Sequence, residues 1–377
     1  MDRRSFIVGT GASVALGAAR VAQAAESSSG DIVIGQSAVL SGPLAPSVLV
    51  MQGGSRLAFD EVNAQGGIAE RKIRLVSLDD TLDSAKAQAN YKTLVQQHNA
   101  LACFLGVGAA PTLGGLAPLR DSGTPLVGAT AVSDSVREKS EGVAFYTRAS
   151  QGREVEALLQ QISTVGLTRI GFAWIRSPGG AEVLAQLKKA AQKFKIEVIS
   201  EVAVAPDASD VEAAGKAMAA QPVQAVIVYH TAAPGAAFVK TVLANGGAPS
   251  FYALSIFAGD VAAKLLGEQA RGIAVSQVTP YPWDNANTDS IRYRQAAEKA
   301  KVPLGYQSYE GYIAARVLVD AMRQCGGELS RARLRTALGK LKTRVATLDI
   351  DFGTNRSNTG TQFIELVQAR SDGRFVR

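Results

Sequence analysis

The sequence predicts an α/β fold of two similar lobes, each a parallel sheet covered by helices. Three observations predict it. Strand-length apolar runs alternate with helix-length amphipathic runs along most of the 377 residues, the signature of βαβ units. That rhythm runs once through residue 133 and starts again near residue 143. Hydrophobic residues make up 47% of the chain and charged residues 19%, enough apolar mass for two cores of ordinary domain size.

The first 24 residues stand apart from this pattern. MDRRSFIVGTGASVALGAARVAQA carries paired Arg3 and Arg4, then Phe6, an apolar run from Ile7 to Ala19, and an A-x-A close at Ala22-Gln23-Ala24. It is similar to a twin-arginine export signal. The run is shorter than the roughly 20 residues that a membrane span needs, so no membrane insertion is expected after cleavage. Removing residues 1–24 takes away three arginines and one aspartate, lowering the formal charge from +7 to +5. The product is expected in the periplasm.

After the linker AESSSGD, IVIGQSAVL reads as a buried strand and GGSRLAFDEVNAQGG as a helix ending on glycine, as helices commonly do. RKIRLVSLDD, ALACFLG and PLVGAT continue as strands, separated by the helices SAKAQANYKTLVQQ and APTLGGLAPLRDSG. The second run opens with GVAFYTRAS and the helix GREVEALLQQISTVG, and its strands are RIGFAWI, IEVISEVAV, AVIVYH, FYALSI and GIAVSQV. The helices between them are GGAEVLAQLKKAAQKF, one near residues 211–220, and PGAAFVKTVLANG. The tail departs from the rhythm. SYEGYIAARVLVDAMRQ and SRARLRTALGKL read as helices, then VATLDIDFG and FIELVQA as strands. A chain that returns in this way revisits both lobes, which requires more than one crossover.

Several chemistries are disfavoured. The positive balance, with pI near 9.4, contains no dense Lys/Arg patch interleaved with aromatics, so it reads as a solvated surface and no nucleic-acid partner is expected. Cys103 and Cys325 read as two separate buried thiols, and two histidines spread over the chain give no metal-ligand spacing. Gly106 and Gly108 outline a dinucleotide loop, but the sixth position is Pro111 and the next strand, LVGAT, ends without a carboxylate. The chain has no G-x-S-x-G elbow and no H-E-x-x-H pair, and nothing assembles a nucleophile, base and orienter. A non-enzyme without cofactor or metal is expected.

Ligands of doubly wound sheets bind outside the carboxyl ends of the strands. In the first run these ends are residues 37–47, 106–112 and 128–133, carrying Ser41, Ser47, Ala110 and Thr130. In the second they are residues 174–180, 229–233 and 254–257, carrying Arg176, His230, Thr231 and Ser255. Small hydroxyl residues and backbone N–H groups at such ends suit a carboxylate or another small polar group. His230 reads equally well as a ligand contact and as a structural histidine.

IGQSAVLSGPLA followed by GGSRLAFDEVNAQGGIAERKIRLVSLDD resembles the opening of the leucine/isoleucine/valine-type periplasmic binding proteins, the substrate receptors of ATP-driven importers. The resemblance continues through FYTRASQGREVEALLQQI, FYALSIFAGDVAAKLLG, GIAVSQVTPYPW and YEGYIAARVLVDAM, covering essentially all of residues 31–368. It implies two Rossmann-like lobes joined by three crossovers, near Arg148, Pro280 and Leu341, with the solute in the cleft between them. The first lobe would hold residues 31–148 and 281–341, and the second residues 149–280 and 342–377.

Position by position, the resemblance implies a pocket that departs from the family's. The hydroxyl residue that receives a solute carboxylate falls at Ala110, with Thr130 in the next loop. The aromatic after LSGP falls at Ser47, and the tyrosine of a second-lobe YG turn at Pro178. The tyrosine after a later strand falls near Ala232, beside His230 and Thr231, and Gln307 stands where an aromatic often lines the cleft. The acidic acceptor of the solute's ammonium falls around Ser255, with Asp79, Asp80 or Glu310 as stand-ins. Because an unpaired buried charge is costly, this loss favours an acidic or aromatic-acid solute facing Arg176 and His230. A branched-chain amino acid and a neutral amide are the alternatives. The implied activity is capture of a small solute by a monomer and delivery to an inner-membrane permease with cytoplasmic ATPase subunits. The alternative is a sensor of the same fold signalling to a receptor partner.

Overall fold

The inner strands predicted in the first run assemble because they are buried on both faces, while the edge strand Ile73–Asp79 is partly exposed. A computed structural model describes residues 30–377 apart from 43, 355 and 371–374; the export signal expected at residues 1–24 lies outside them. β1 (Ile32–Ala38), β2 (Ile73–Asp79), β3 (Ala102–Phe104), β4 (Leu126–Val127) and β5 (Ala144–Phe145) form a parallel sheet in the order β2-β1-β3-β4-β5. They alternate with α1 (Ala45–Ala64), α2 (Ser84–Gln96), α3 (Ala109–Ser122) and α4 (Asp134–Lys139). Alternate residues serve opposite faces. Ala102 and Phe104 meet Leu57, Phe59 and Val62 of α1, while Cys103 meets Tyr91 and Leu94 of α2 and Leu119 of α3.

The second sheet repeats the construction. α5 (Gln151–Thr164), β6 (Arg169–Ile175), α6 (Pro178–Lys193), β7 (Glu197–Val204), α7 (Val211–Ala219), β8 (Ala225–Tyr229), α8 (Ala232–Ala244), β9 (Ser250–Ala253), α9 (Gly259–Leu266) and β10 (Ala274–Gln277) follow in chain order. Ile170, Phe172 and Ile227 pack under α5 and α6, and Val226, Val228 and Phe251 under α7 to α9. Burying one such side chain contributes roughly 1.5–3 kcal/mol.

The chain then returns to the first lobe. α10 (Thr288–Ala300), α11 (Tyr306–Gln324) and α12 (Arg331–Lys340) precede the antiparallel hairpin of β11 (Lys342–Val345) and β12 (Leu348–Asp351). α11 lies along α1 so closely that a Cβ on Gly54 would stand 1.7 Å from the Ser308 carbonyl oxygen, and one on Gly311 1.9 Å from that of Met51. Only hydrogen fits at either position.

The third passage between lobes lies beyond the expected one. Leu341, Val345, Leu348, Ile350 and Phe352 are buried in the first lobe's core with α11, and Phe352 meets Phe145 edge-on at 5.3 Å. The run VATLDIDFG is therefore not one strand of the second sheet. It turns at Ala346 and Thr347, both with positive φ, and closes the hairpin on the first lobe because that face still offers apolar surface. β13 (Glu365–Ala369) and β14 (Phe375–Val376) then complete the second sheet, ordered β14-β13-β10-β9-β8-β6-β7. The passages thus run near residues 146–150, 278–287 and 353–364. The first and third run side by side, Tyr146 N donating to Asn358 O at 2.9 Å and Gly360 N to Tyr146 O at 2.8 Å.

Candidate functional site

The carboxyl ends of the strands in both sheets lead into the loops singled out above. In the first lobe, Ser41 is exposed and Ser47 half-buried in the first turn of α1. Leu40 N donates to Asp79 Oδ1 at 2.9 Å; bonds from Ser41 and Leu40 hold the Asp79 carboxyl below its ordinary value. Ala110 is exposed in the first turn of α3, which starts from Gly108 at φ +92°. First-turn N–H groups have no partner within their own helix. Thr130 is buried, tied to the same loop by Gly108 N donating to its carbonyl at 2.9 Å.

In the second lobe the picked residues separate into two groups. Arg176 is mostly outside: its side chain is 58% exposed and its guanidinium donates to Asp210 and, at 3.1 Å, to the Ala203 carbonyl. Its charge is already paired. His230 is buried beside the Ala205 carbonyl and the Asp210 carboxylate. Its Nδ1 accepts from Thr231 N at 3.0 Å, which places the hydrogen on Nε2. Burial pushes its pKa down to about 4, so the imidazole is neutral near pH 7. Thr231 opens α8 with a buried hydroxyl that has no partner among the described residues.

Ser255 belongs to the second group, at the joint between the lobes. Its N–H donates to Glu154 Oε2 at 2.7 Å and its hydroxyl to Glu154 Oε1 at 3.0 Å. Ser276 Oγ donates to Glu154 Oε2 at 2.7 Å. Arg148, on the first passage, donates through Nη2 to Glu154 Oε1 at 2.9 Å and to Ser255 Oγ, and through Nη1 to Glu310 Oε1 of α11 at 3.0 Å. One guanidinium thereby ties a helix of the first lobe to a helix and a strand end of the second. Burial disfavours its charge, and the Glu310 and Glu154 carboxylates outweigh that and hold its pKa above the usual arginine value. Burial raises the Glu310 carboxyl, with Arg148 opposing.

A second buried guanidinium supports the passages. Arg137 donates to the carbonyls of Arg148 at 3.1 Å and Ala149 at 3.0 Å and to Thr359 Oγ1 at 3.3 Å, and stacks over the Tyr146 ring at 4.3 Å. Further contact between lobes comes from α4 and α6, where Ser135 N and Oγ donate to the two Glu182 oxygens at 2.8 and 2.5 Å.

Residue-by-residue reading of the sequence passed over Glu154 and Arg137, and placed Arg148 only as a crossover. A signal was present: TRASQGRE puts Arg148 and Glu154 on either side of Ser150, which caps α5 by accepting from Arg153 N. Which long-range partner such a pair meets is decided by the fold. Among the described residues no group of three or more His, Cys, Asp or Glu side chains could hold a metal ion, and no helix is long and apolar enough to cross a membrane.

Two α/β lobes, three passages and polar strand ends define the architecture of a solute-binding protein. A family model described as periplasmic binding protein matches residues 31–374, and the chain belongs to that family. Solved structures agree. A substrate-binding periplasmic protein from Ralstonia solanacearum is 28% identical, with a TM-score of 0.86, covering 92% of this chain and 99% of that one. The branched-chain amino acid transporter substrate-binding protein LivJ of Streptococcus pneumoniae, in complex with isoleucine, is 17% identical, with a TM-score of 0.81 and coverage of 92% and 98%. A solute-binding protein of an ABC transporter from R. palustris, in complex with benzoate, is 19% identical, with a TM-score of 0.81 and coverage of 92% and 95%. These last two share the fold. No curated protein matches the chain.

Proposed function

We propose that the chain is the periplasmic solute-capturing component of an ATP-driven importer of the branched-chain amino acid type. It takes a small amino acid or organic acid into the cleft and delivers it to an inner-membrane permease with cytoplasmic ATPase subunits. The observation that carries this reading is the joint: Arg148 binds Glu310 of one lobe and Glu154 and Ser255 of the other, beneath strand ends lined with small polar residues. A solute bridging the lobes favours the closed arrangement through contacts available only there. The permease then reads the closed form. The isoleucine and benzoate held by proteins of this fold set the range of solutes to try.

Thermal shift of the exported protein against amino acids, aromatic acids, dicarboxylates and amides tests the reading. A true ligand at a hundred times its Kd stabilises by about 2.7 kcal/mol, a clear rise in Tm. No shift with any of the panel would count against solute capture. Loss of uptake of the bound solute when the gene is deleted separates delivery from sensing.

A further inference from the structure

Two acceptor atoms on one face of α11 are left without donors. Gln307 Oε1 is buried and unmatched among the described residues. Glu310, one turn further on, uses Oε1 for Arg148 Nη1 at 3.0 Å, and no donor among the described residues meets its Oε2. Residues three apart on a helix are surface neighbours, so the two groups stand together. Their direction follows from the rest of the helix. Tyr306 fills the second lobe's core, Glu310 faces Arg148 on the passage, and Ser308 and Gly311 press against α1. With about 100° between successive residues, Gln307 lies between the Arg148 side and the α1 side, on the cleft between the lobes.

Glu154, Arg176 and His230 offer nothing further, although Asp134 of α4 also keeps a buried Oδ1 without a partner among the described residues. Glu154 accepts from Ser255 N, Ser255 Oγ, Ser276 Oγ and Arg148, two donors on each oxygen. Arg176 is paired with Asp210 and His230 is neutral. A carboxylate solute would find no free cation among these residues, whereas a nitrogen carrying hydrogens would find two waiting acceptors.

We propose that Gln307 and Glu310 form an acceptor pair that reads an N–H-bearing nitrogen of the solute, ammonium or amide, from the first-lobe helix α11. The inference rests on the solute-capture reading and deepens it. The pair lies on a different element from Ser255, on α11 of the first lobe. A site built to hydrogen-bond a donor rejects the analogue lacking it, because its own polar atoms are then left unpaired.

Isothermal titration of the exported protein with two matched pairs tests this: L-leucine against 4-methylpentanoate, and benzamide against benzoate. If the thermal-shift panel finds a solute outside these four, that solute and its nitrogen-free analogue form the pair. The nitrogen-bearing member should bind at least about tenfold tighter than its partner. Gln307→Leu should weaken that member about tenfold or more, and change its partner less than twofold. Glu310→Gln should weaken it too; if that variant does not fold, Gln307→Leu alone decides. Equal or tighter binding of the nitrogen-free member, or an unchanged affinity in Gln307→Leu, overturns the pair and leaves solute capture standing. Failure of every solute in the panel to bind overturns both.

Discussion

Replacing Arg148 by methionine removes the guanidinium that binds a carboxylate of each lobe at their joint. The side chain is 8% exposed, and its two carboxylate partners are 1% and 9% exposed at 2.9 and 3.0 Å. Removing one partner of a buried ion pair typically costs about 3–5 kcal/mol, because the partner left behind is a buried charge without compensation. Here two carboxylates are left, although Glu154 keeps the Ser255 and Ser276 donors. With about 2.1 cal/mol/K of unfolding entropy per residue over roughly 340 folded residues, that cost is a fall in Tm of about 4–7 °C. The pH dependence has a fixed sign. Burial already raises the Glu310 carboxyl with Arg148 opposing; without the guanidinium it rises further above its unfolded value, so its contribution is most favourable at low pH and worsens as pH rises. The deficit of Arg148→Met should therefore shrink between pH 7 and pH 5, and adding Glu310→Gln should recover part of it at pH 7. Thermal melts of the three proteins at both pH values provide the assay. A fall of under 1 °C at pH 7, or a deficit that grows toward pH 5, would contradict this role for Arg148.

Three further outcomes are expected. Burial raises the Asp260 carboxyl to about 6, against the Tyr306 N–H that donates to it at 2.7 Å and the nearby Lys264; stability should fall by up to about 3 kcal/mol as pH rises from 4 to above 6. Asp260→Asn, which keeps an acceptor for Tyr306, should flatten that fall, and urea titrations across the range would show whether it does. Arg176→Ala should cost less than about 1 kcal/mol, since its ion pair is exposed, and should leave solute affinity within about twofold; a 30-fold loss by titration would instead restore the acidic-solute reading. Cys103 and Cys325 are free and buried, with burial pushing the Cys103 thiol up to about 12, so a thiol reagent should label neither until the protein is unfolded.

The α/β architecture was legible because strand and helix periodicities are local. Phe104 and Cys103 alternate faces within three residues, and that pattern can be read without knowing what covers either face. The family was legible for the same reason, since its ordered segments are contiguous in sequence. The hairpin at 342–351 was not. VATLDIDFG has strand composition, but whether it enters the second sheet or folds onto the first depends on which apolar surface remains uncovered, and that is a property of the assembled lobe. The short α4 and α9 and the weakly patterned α10 were not legible either. At the site, strand-end loops could be located from sequence, but not the direction of their side chains. Arg176 turns to Asp210, while Glu154 reaches Ser255 across 101 positions, a meeting that no local spacing announces.

In the proposed function the two lobes close on a small solute. Small-angle X-ray scattering of the exported protein, with and without a saturating concentration of the solute that stabilises it most, tests this directly. Closure predicts a smaller radius of gyration with solute present, reversed when the solute is dialysed away. An unchanged radius of gyration, with titration showing the site to be filled, would contradict it.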